Sequence, residues 1–386
     1  MPLVSADILR LQRTVFEAEK RLAWLFPSYL WGDPDDFVAA MTDPDGCTLV
    51  CSNPRRVASV ELGVKASIKF FGQPEPGDTW LVNDPFSGGT HLQDHSVQQP
   101  LFLDGRLVGF AVHGAHFPDV GGKLFGGYFP QATEIWQEGI RTPPIRLRHK
   151  GGVRADAVDF LSANTRSPEI GRASIDKLLR DVDSFSLELL EALDACPDWP
   201  GNVAATTEEA MRGFIGSLPR GKKHSSSLAL AHSCVGRESV VEVAVSCEDA
   251  QLVIDFSGSS SQGDGNQNAT IATTLNAVCE VLGLFLDVRF PNNALLRDVL
   301  VVAPQRSITN AQWPVAVGWS VYSPAAEIMV TVAQALSALS GRDISLTPPR
   351  PPETIFRIPG CGAGDCPFDQ AAGVGFVYGK ARSVSL

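Results

Sequence analysis

The chain has 386 residues, 44% of them hydrophobic and 19% charged, with a formal net charge of −11. It is long enough to bury one large or two ordinary cores, and its acidic balance argues against a nucleic-acid partner. No apolar run approaches the roughly 20 residues that span a bilayer, the start MPLVSADILRLQRT lacks the pattern of a secretory leader, and eight cysteines are too few for a disulfide scaffold; the expectation is a soluble, cytoplasmic protein with no membrane partner.

Residues 7–26 predict a helix capped at Ser5-Ala6-Asp7, with Ile8, Leu11, Val15, Ala18, Leu22 and Leu25 on one apolar face. FVAAMTDPDGCTLVC has strand-like runs on either side of Asp45-Gly46 and reads as a hairpin. Its Cys47 and Cys51 read as buried thiols, with zinc as the alternative. A helix over 57–72 stops at Gly72, ahead of Pro74 and Pro76. The strand TWLVND then delivers Asp84 to a glycine-rich loop.

Residues 83–138 hold four of the seven histidines, His91, His95, His113 and His116, accompanied by Asp84, Asp94, Asp119, Glu134 and Glu138. Within this stretch, the apolar runs of VQQPLFLDGRLVGFAVHG flank Asp104-Gly105, the pair favoured in a type I′ turn, and predict a hairpin. A hairpin returns its far end to its near end, so His91-x-x-Asp94 and His116-x-x-Asp119 come side by side. Two histidines and a carboxylate converging on a rigid hairpin suit a divalent first-row metal with open positions. The bland alternative is a set of polar loop residues satisfying turns. His113 lies three residues before His116, so alternation puts it on the opposite face.

RTPPIRLRHKGG marks a domain edge near 150. Residues 169–195 and 205–216 read as helices that bridge the parts. From 224, SVVEVAVSC and QLVIDFSGSS read as strands joined at Glu248-Asp249-Ala250, and LNAVCEVLGLFL and AAEIMVTVAQALSAL read as helices. Asn266 and Asn268 precede the first of these helices, placed either to hold a phosphate or a polarised carbonyl oxygen, or to cap and turn. After about 345 the sequence is punctuated by Pro and Gly, and the pair Cys361-x4-Cys366 stays open between thiols and a metal site. The fold class is a mixed α+β protein: a metal-site domain over 1–150, a helical bridge over 151–223, an α/β domain over 224–345 and a tail over 346–386.

Three blocks, NDPFSGGTHLQD, HFPDVGG and ATEIWQEGIRTPP, resemble in order and spacing the signature run of the hydantoinase B/oxoprolinase family, most fully over residues 7–150. The DFSGSS strand end and the Gly/Asn loop after it resemble the same family. The resemblance implies that His91, Asp94 and His116 bind one divalent metal ion, with Mn, Zn and Fe equally suited to such ligands. Asp119, three residues past His116, is placed to orient that ring or to accept a proton. Asp84 and Glu134, which open and close the run, are candidates for a substrate pocket, with turn capping the alternative for Asp84 and Asp119. The resemblance also implies a hetero-oligomer. An actin-fold ATPase partner uses ATP to phosphorylate the carbonyl oxygen of a small cyclic amide (a hydantoin, 5-oxoproline or another lactam), and this subunit completes the hydrolysis. The absence of a G-x-x-x-x-G-K-[ST] loop agrees with that division of labour. A ketone-carboxylase subunit, a free-standing metallohydrolase, and a scaffold subunit without activity are the alternatives. The last is prompted by the absence of the long Gly-rich C-terminal third usual in the family, which marks either a shortened relative or an incomplete chain.

Overall fold

In the computed structural model, which describes residues 6–26, 37–196, 199–230, 238–288, 290–344 and 346, the mixed α+β architecture is built on two sheets. The first has seven antiparallel strands: β1 (Phe37–Thr42), β2 (Thr48–Cys51), β3 (Thr79–Val82), β4 (Asp94–Leu103), β5 (Arg106–His116), β6 (Ile145–His149) and β7 (Gly152–Val153). Their spatial order is β2-β1-β5-β4-β3-β6-β7. The second contains β8 (Lys223–Ala229), β9 (Val240–Glu248), β10 (Gln251–Asp255) and β11 (Val299–Val302) in the order β11-β10-β9-β8, with only β10 and β11 parallel. The helices are α1 (Ala6–Leu25), α2 (Val57–Phe71), α3 (Ala155–Ala163), α4 (Pro168–Asp194), α5 (Trp199–Asn202), α6 (Ala205–Ser217), α7 (Ile271–Leu286), α8 (Ala294–Arg297) and α9 (Ala325–Ser340). The expected cap at Ser5, the Cys361/Cys366 pair and nearly all of the tail lie outside the described residues.

Apolar periodicity decides which faces meet. Leu11, Val15, Ala18 and Leu22 form the buried stripe of α1, and Ile175, Leu178, Val182, Phe185 and Leu189 form that of α4. Both stripes pack on one face of the first sheet, over Ala39, Met41, Val97, Leu101, Ala111 and Ala115. The alternate residues of the same strands, Val38, Ala40, Trp80, Phe110 and Val112, point the other way into a second core. That core holds α2, α7 and α9 and ends on the inner face of the second sheet at Val241, Val243, Val245, Leu252 and Ile254. Each core joins residues from before 150 to residues from after 224: Ala311 and Val317 enter the first, while Trp80 shares the second with Val278 and Ile328. The long helix α4 thus lies across the N-terminal sheet as one of its covering layers.

Two local devices position the loop and strands that carry the histidines. Asp104 and Gly105 both have positive φ (49° and 76°), the backbone of a type I′ turn, and they close the β4–β5 hairpin. Gly88 (φ 99°) lets the loop before β4 lie on α2, because a Cβ there would stand 2.5 Å from the carbonyl carbon of Leu62. Cys51 is a core residue: its thiol donates to the Asn53 carbonyl, and burial pushes its pKa up to about 12.

Phe185 is fully buried and stacks on His113 with ring centroids 4.6 Å apart. Phe185→Ala is expected to cost about 3–5 kcal/mol, read as a lower urea midpoint at an unchanged m value. On the same helix Leu187 is 63% exposed, and Leu187→Ala should stay within about 0.5 kcal/mol.

Candidate metal centre

The hairpin register sets Asp94 directly across from His116. His91 stands one turn earlier in the loop that enters β4, where its carbonyl accepts the Asp94 backbone N–H at 3.3 Å. Gly88 has already pressed this loop against α2, so His91 and His116 are both buried and Asp94 is half-buried between them. His91 Nε2 lies 3.1 Å from Asp94 Oδ2, and His116 Nδ1 lies 3.6 Å from Asp94 Oδ1. One ligand atom from each of the three residues falls within 4.8 Å of the others.

The protonation pattern can be worked out from the neighbours. His91 Nδ1 is 3.3 Å from the Gly318 carbonyl oxygen. A carbonyl only accepts, so Nδ1 carries a hydrogen and leaves Nε2 to take either a second proton or a metal ion. Nε2 is buried and faces a carboxylate oxygen of Asp94. Without a proton on Nε2 the two atoms would be acceptors only 3.1 Å apart, so either a proton or a metal ion lies between them. Two imidazole nitrogens and one carboxylate are also a donor set that divalent Mn, Fe or Zn accepts. The residues therefore fit a metal ion.

Asp94 is kept ionised. Burial alone would raise its pKa, but the Arg56 guanidinium, with His91 and His116, holds it well below the usual carboxylate range. Arg56 binds both carboxylate oxygens, with Nη2 3.0 Å from Oδ1 and Nη1 on Oδ2, and the Thr90 hydroxyl donates to Oδ2 as well. A cavity of about 40 Å³ beside this pair is lined by Arg56, Asn83, Thr90, Asp94 and His95. Over the histidines, Tyr128 lies nearly parallel to His116 (centroids 6.1 Å apart, 14°) and 6.0 Å from His91. Trp319 and Tyr322 complete an aromatic wall, and the Tyr128 and Tyr322 hydroxyls are 3.3 Å apart.

The other residues singled out from the sequence are placed differently. Asp119 accepts the Arg166 backbone N–H at 2.5 Å, the Arg166 guanidinium at 2.9 Å and the Gly121 N–H at 3.2 Å, which is the work of a turn cap and ion pair. Asp84 is fully buried but bound by Arg141 at 2.8 and 2.9 Å, and it caps Phe86 and Ser87. Glu134 is exposed at the start of a short 3-10 turn, where its N–H donates to Gln137 Oε1 at 3.2 Å. His95 stacks on Phe117, and His113 faces α4 on the opposite side of the sheet from His116. Asn268 clamps Gly263, Gly265 and Ala316, and α7 is capped by Thr270, whose hydroxyl also donates to Gly89 at 2.8 Å. A second cluster, Glu75, Asp78 and His149, is compensated by Lys150 and Arg146, at 3.2 Å from Glu75 and 3.7 Å from Asp78. What the sequence reading missed is the 317–322 loop and Glu138, whose carboxylate accepts the Val317 and Gly318 N–H groups. Residues separated by about 180 positions leave no local pattern to find.

Comparison with known proteins gives a consistent picture. A profile described as hydantoinase B/oxoprolinase matches residues 10–346. The beta subunit of the caprolactamase of Pseudomonas jessenii is 27% identical over 274 residues, covering 68% of this chain and 46% of that one. A 5-oxoprolinase of Pestalotiopsis fici is 27% identical over 311 residues, 73% of this chain and 23% of that one. The chain thus spans about half the length, or less, of the curated relatives it matches. The crystal structure of ATP-dependent caprolactamase from Pseudomonas jessenii matches the fold with a TM-score of 0.78 at 24% identity, over 88% of this chain and 61% of that one. Nucleotide-free acetone carboxylase matches with 0.73 at 14% identity, over 86% and 47%. At such identities these two likenesses speak for the fold alone. No helix among the described residues is long and apolar enough to cross a membrane.

Two outcomes are expected. His91→Ala and His116→Ala should each strip bound metal from the purified protein, and His95→Ala and His113→Ala should leave it in place, as read by elemental analysis. The second concerns pH. Burial lowers His95 to about 4 and His113, with Arg21 adding to the effect, to about 3. Both rings stay neutral in the fold and take up protons on unfolding, so their contribution is complete above about pH 6.5 and is lost as the pH falls through 4 and 3. The urea midpoint of the metal-free chain should fall steadily below about pH 6.5, and His113→Gln should make that slope shallower.

Proposed function

The chain belongs to the hydantoinase B/oxoprolinase family, and from that premise we propose that it is the metal-holding subunit of an ATP-dependent complex that opens a small cyclic amide. The observation that carries the reading is the buried His91–Asp94–His116 cluster, where two imidazoles and a carboxylate bring one ligand atom each within 4.8 Å of the others. Relatives named as a 5-oxoprolinase, as the beta subunit of a caprolactamase and as one subunit of a hydantoinase support the substrate class and the division into subunits.

In this reading His91 Nε2, an Asp94 oxygen and a His116 nitrogen hold one divalent ion, Mn, Zn or Fe. When bound, such an ion supplies Lewis acidity that polarises a carbonyl oxygen and acidifies water. The difficulty of the reaction is that an amide carbonyl carbon is a poor electrophile. Phosphorylation of its oxygen by an actin-fold ATPase partner removes that obstacle and leaves hydrolysis to this subunit. Hydrolysis takes two waters: the first adds its oxygen to the activated carbon as the ring C–N bond breaks and the nitrogen takes a proton, which leaves an acyl phosphate, and the second releases the carboxylate and inorganic phosphate. Arg56 and Thr90 keep the Asp94 carboxylate ionised and fixed in aim, so little reorganisation is needed as charge develops. Tyr128, Trp319 and Tyr322 limit the access of bulk water from one side. Asp84 and Asp119, each bound to an arginine, hold the loops in shape.

The test is reconstitution with the ATPase partner and assay of 5-oxoproline, caprolactam and hydantoin. Ring opening should require the partner and ATP, stop on treatment with a chelator and return with added metal. Ring opening by this chain alone without ATP would overturn the two-subunit reading. Fixation of labelled bicarbonate onto a ketone would assign the carboxylase reaction instead, and a complex with neither activity would assign a scaffold.

A further inference from the structure

Glu138 is fully buried, and among the described residues no ion pair reaches it. A buried carboxylate without a cation is costly and needs a structural reason. Both of its oxygens are used: Oε2 accepts the Val317 N–H at 2.9 Å and Oε1 accepts the Gly318 N–H at 2.8 Å. Burial raises its pKa to about 8 even though these two donors favour the charged form. Gly318 fits beneath the carboxylate only because it lacks a side chain, since a Cβ there would stand 2.6 Å from Oε1. The carbonyl of this same Gly318 is the acceptor for His91 Nδ1. The loop is tied to the metal-site side elsewhere too, with the Ser320 hydroxyl donating to the Thr90 carbonyl at 3.0 Å.

We propose that Glu138 is a positioning residue for His91: by holding the backbone of Val317 and Gly318, it aims the Gly318 carbonyl that fixes the tautomer and tilt of the ring. The proposal rests on the reading of His91 as a metal ligand. A ligand histidine gains from a fixed acceptor on its other nitrogen, which keeps the lone pair on the coordinating side, and loss of that support weakens metal binding about 10–100-fold. Usually the acceptor is a carboxylate or a carbonyl; here a carboxylate controls the carbonyl, so Glu138 acts one step further from the ring. Trp319, next to Gly318, carries part of the aromatic wall, so the same carboxylate also seats the base of that wall.

The test titrates Zn²⁺ onto the metal-free full chain against a competing chelator, alongside nitrogen NMR of the His91 ring. Glu138→Gln replaces one acceptor oxygen with an N–H group that opposes a backbone N–H. The expected result is Zn²⁺ binding weakened about 10–100-fold, with His91 in the Zn²⁺-loaded protein moving from the single Nδ1–H tautomer toward a mixture. Unchanged affinity and tautomer in folded Glu138→Gln would overturn the proposal, even if the urea midpoint dropped, because that pattern is a purely structural role. If Glu138→Gln does not fold, Gly318→Ala takes its place: at least a roughly tenfold loss of affinity supports the proposal and wild-type affinity overturns it. Failure of the wild type to bind Zn²⁺, or wild-type binding by His91→Ala, would remove the metal reading itself. Binding by the wild type that Glu138→Gln matches would remove only the role of Glu138.

Discussion

The antiparallel register that puts Asp94 opposite His116 is the constraint on which the centre depends. In a hairpin the side-chain period is two, so a slip of one residue would send His116 to the α4 face and turn His113 to the other side of the sheet. The type I′ turn at Asp104-Gly105 fixes one end of that register, and burial of both sheet faces fixes the rest. Because the strands are apolar on both sides, no register leaves one face free to face water. The polar cluster is therefore held by the packing of its apolar neighbours more than by its own bonds.

Within the cluster, charge decides what geometry alone leaves open. Taking Asp94 out of water disfavours its ionised form, and Arg56 reverses that sign through two-point contact with the carboxylate. The same arginine begins at the edge of α2, the helix on which the Gly88 loop rests. Packing of the loop on that helix and ionisation of the carboxylate are thus linked: a change that lifts the loop also separates the ion pair. His95 and His113 are the counterexamples, buried rings stacked on Phe117 and Phe185 with no counter-charge strong enough to keep them protonated.

Much of this was legible in the sequence where the determinants are local. The hairpin announced itself through Asp-Gly between apolar runs, and the helices over 57–72, 169–195 and 205–216 through spacing and stops; the structure has them at Val57–Phe71, Pro168–Asp194 and Ala205–Ser217. Periodicity says that a face is buried but not against what, which is why α4 read as a bridge and is found lying across the N-terminal sheet. Carboxylates beside glycines look alike in sequence whether they cap a turn or border a pocket. Their partners Arg141 and Arg166, each more than 45 residues away from Asp84 or Asp119, leave no local mark in the sequence. Glu138 was visible as a residue but not as a participant, because its meaning lies in two backbone groups of a distant loop.

The interleaving of the cores has a consequence for how the protein comes into being. Every ligand candidate lies on the β4–β5 hairpin or the loop that leads into it, and leaves the ribosome early. The acceptor that directs His91, the aromatic residues at 319 and 322, and Val317 in the first core all arrive much later. A nascent chain can close the hairpin and bring rings and carboxylate together, yet it cannot fix the His91 ring until the 317–322 loop docks. If the cluster holds a metal ion as proposed, an ion taken up before that docking would meet a His91 ring whose second nitrogen has no fixed acceptor.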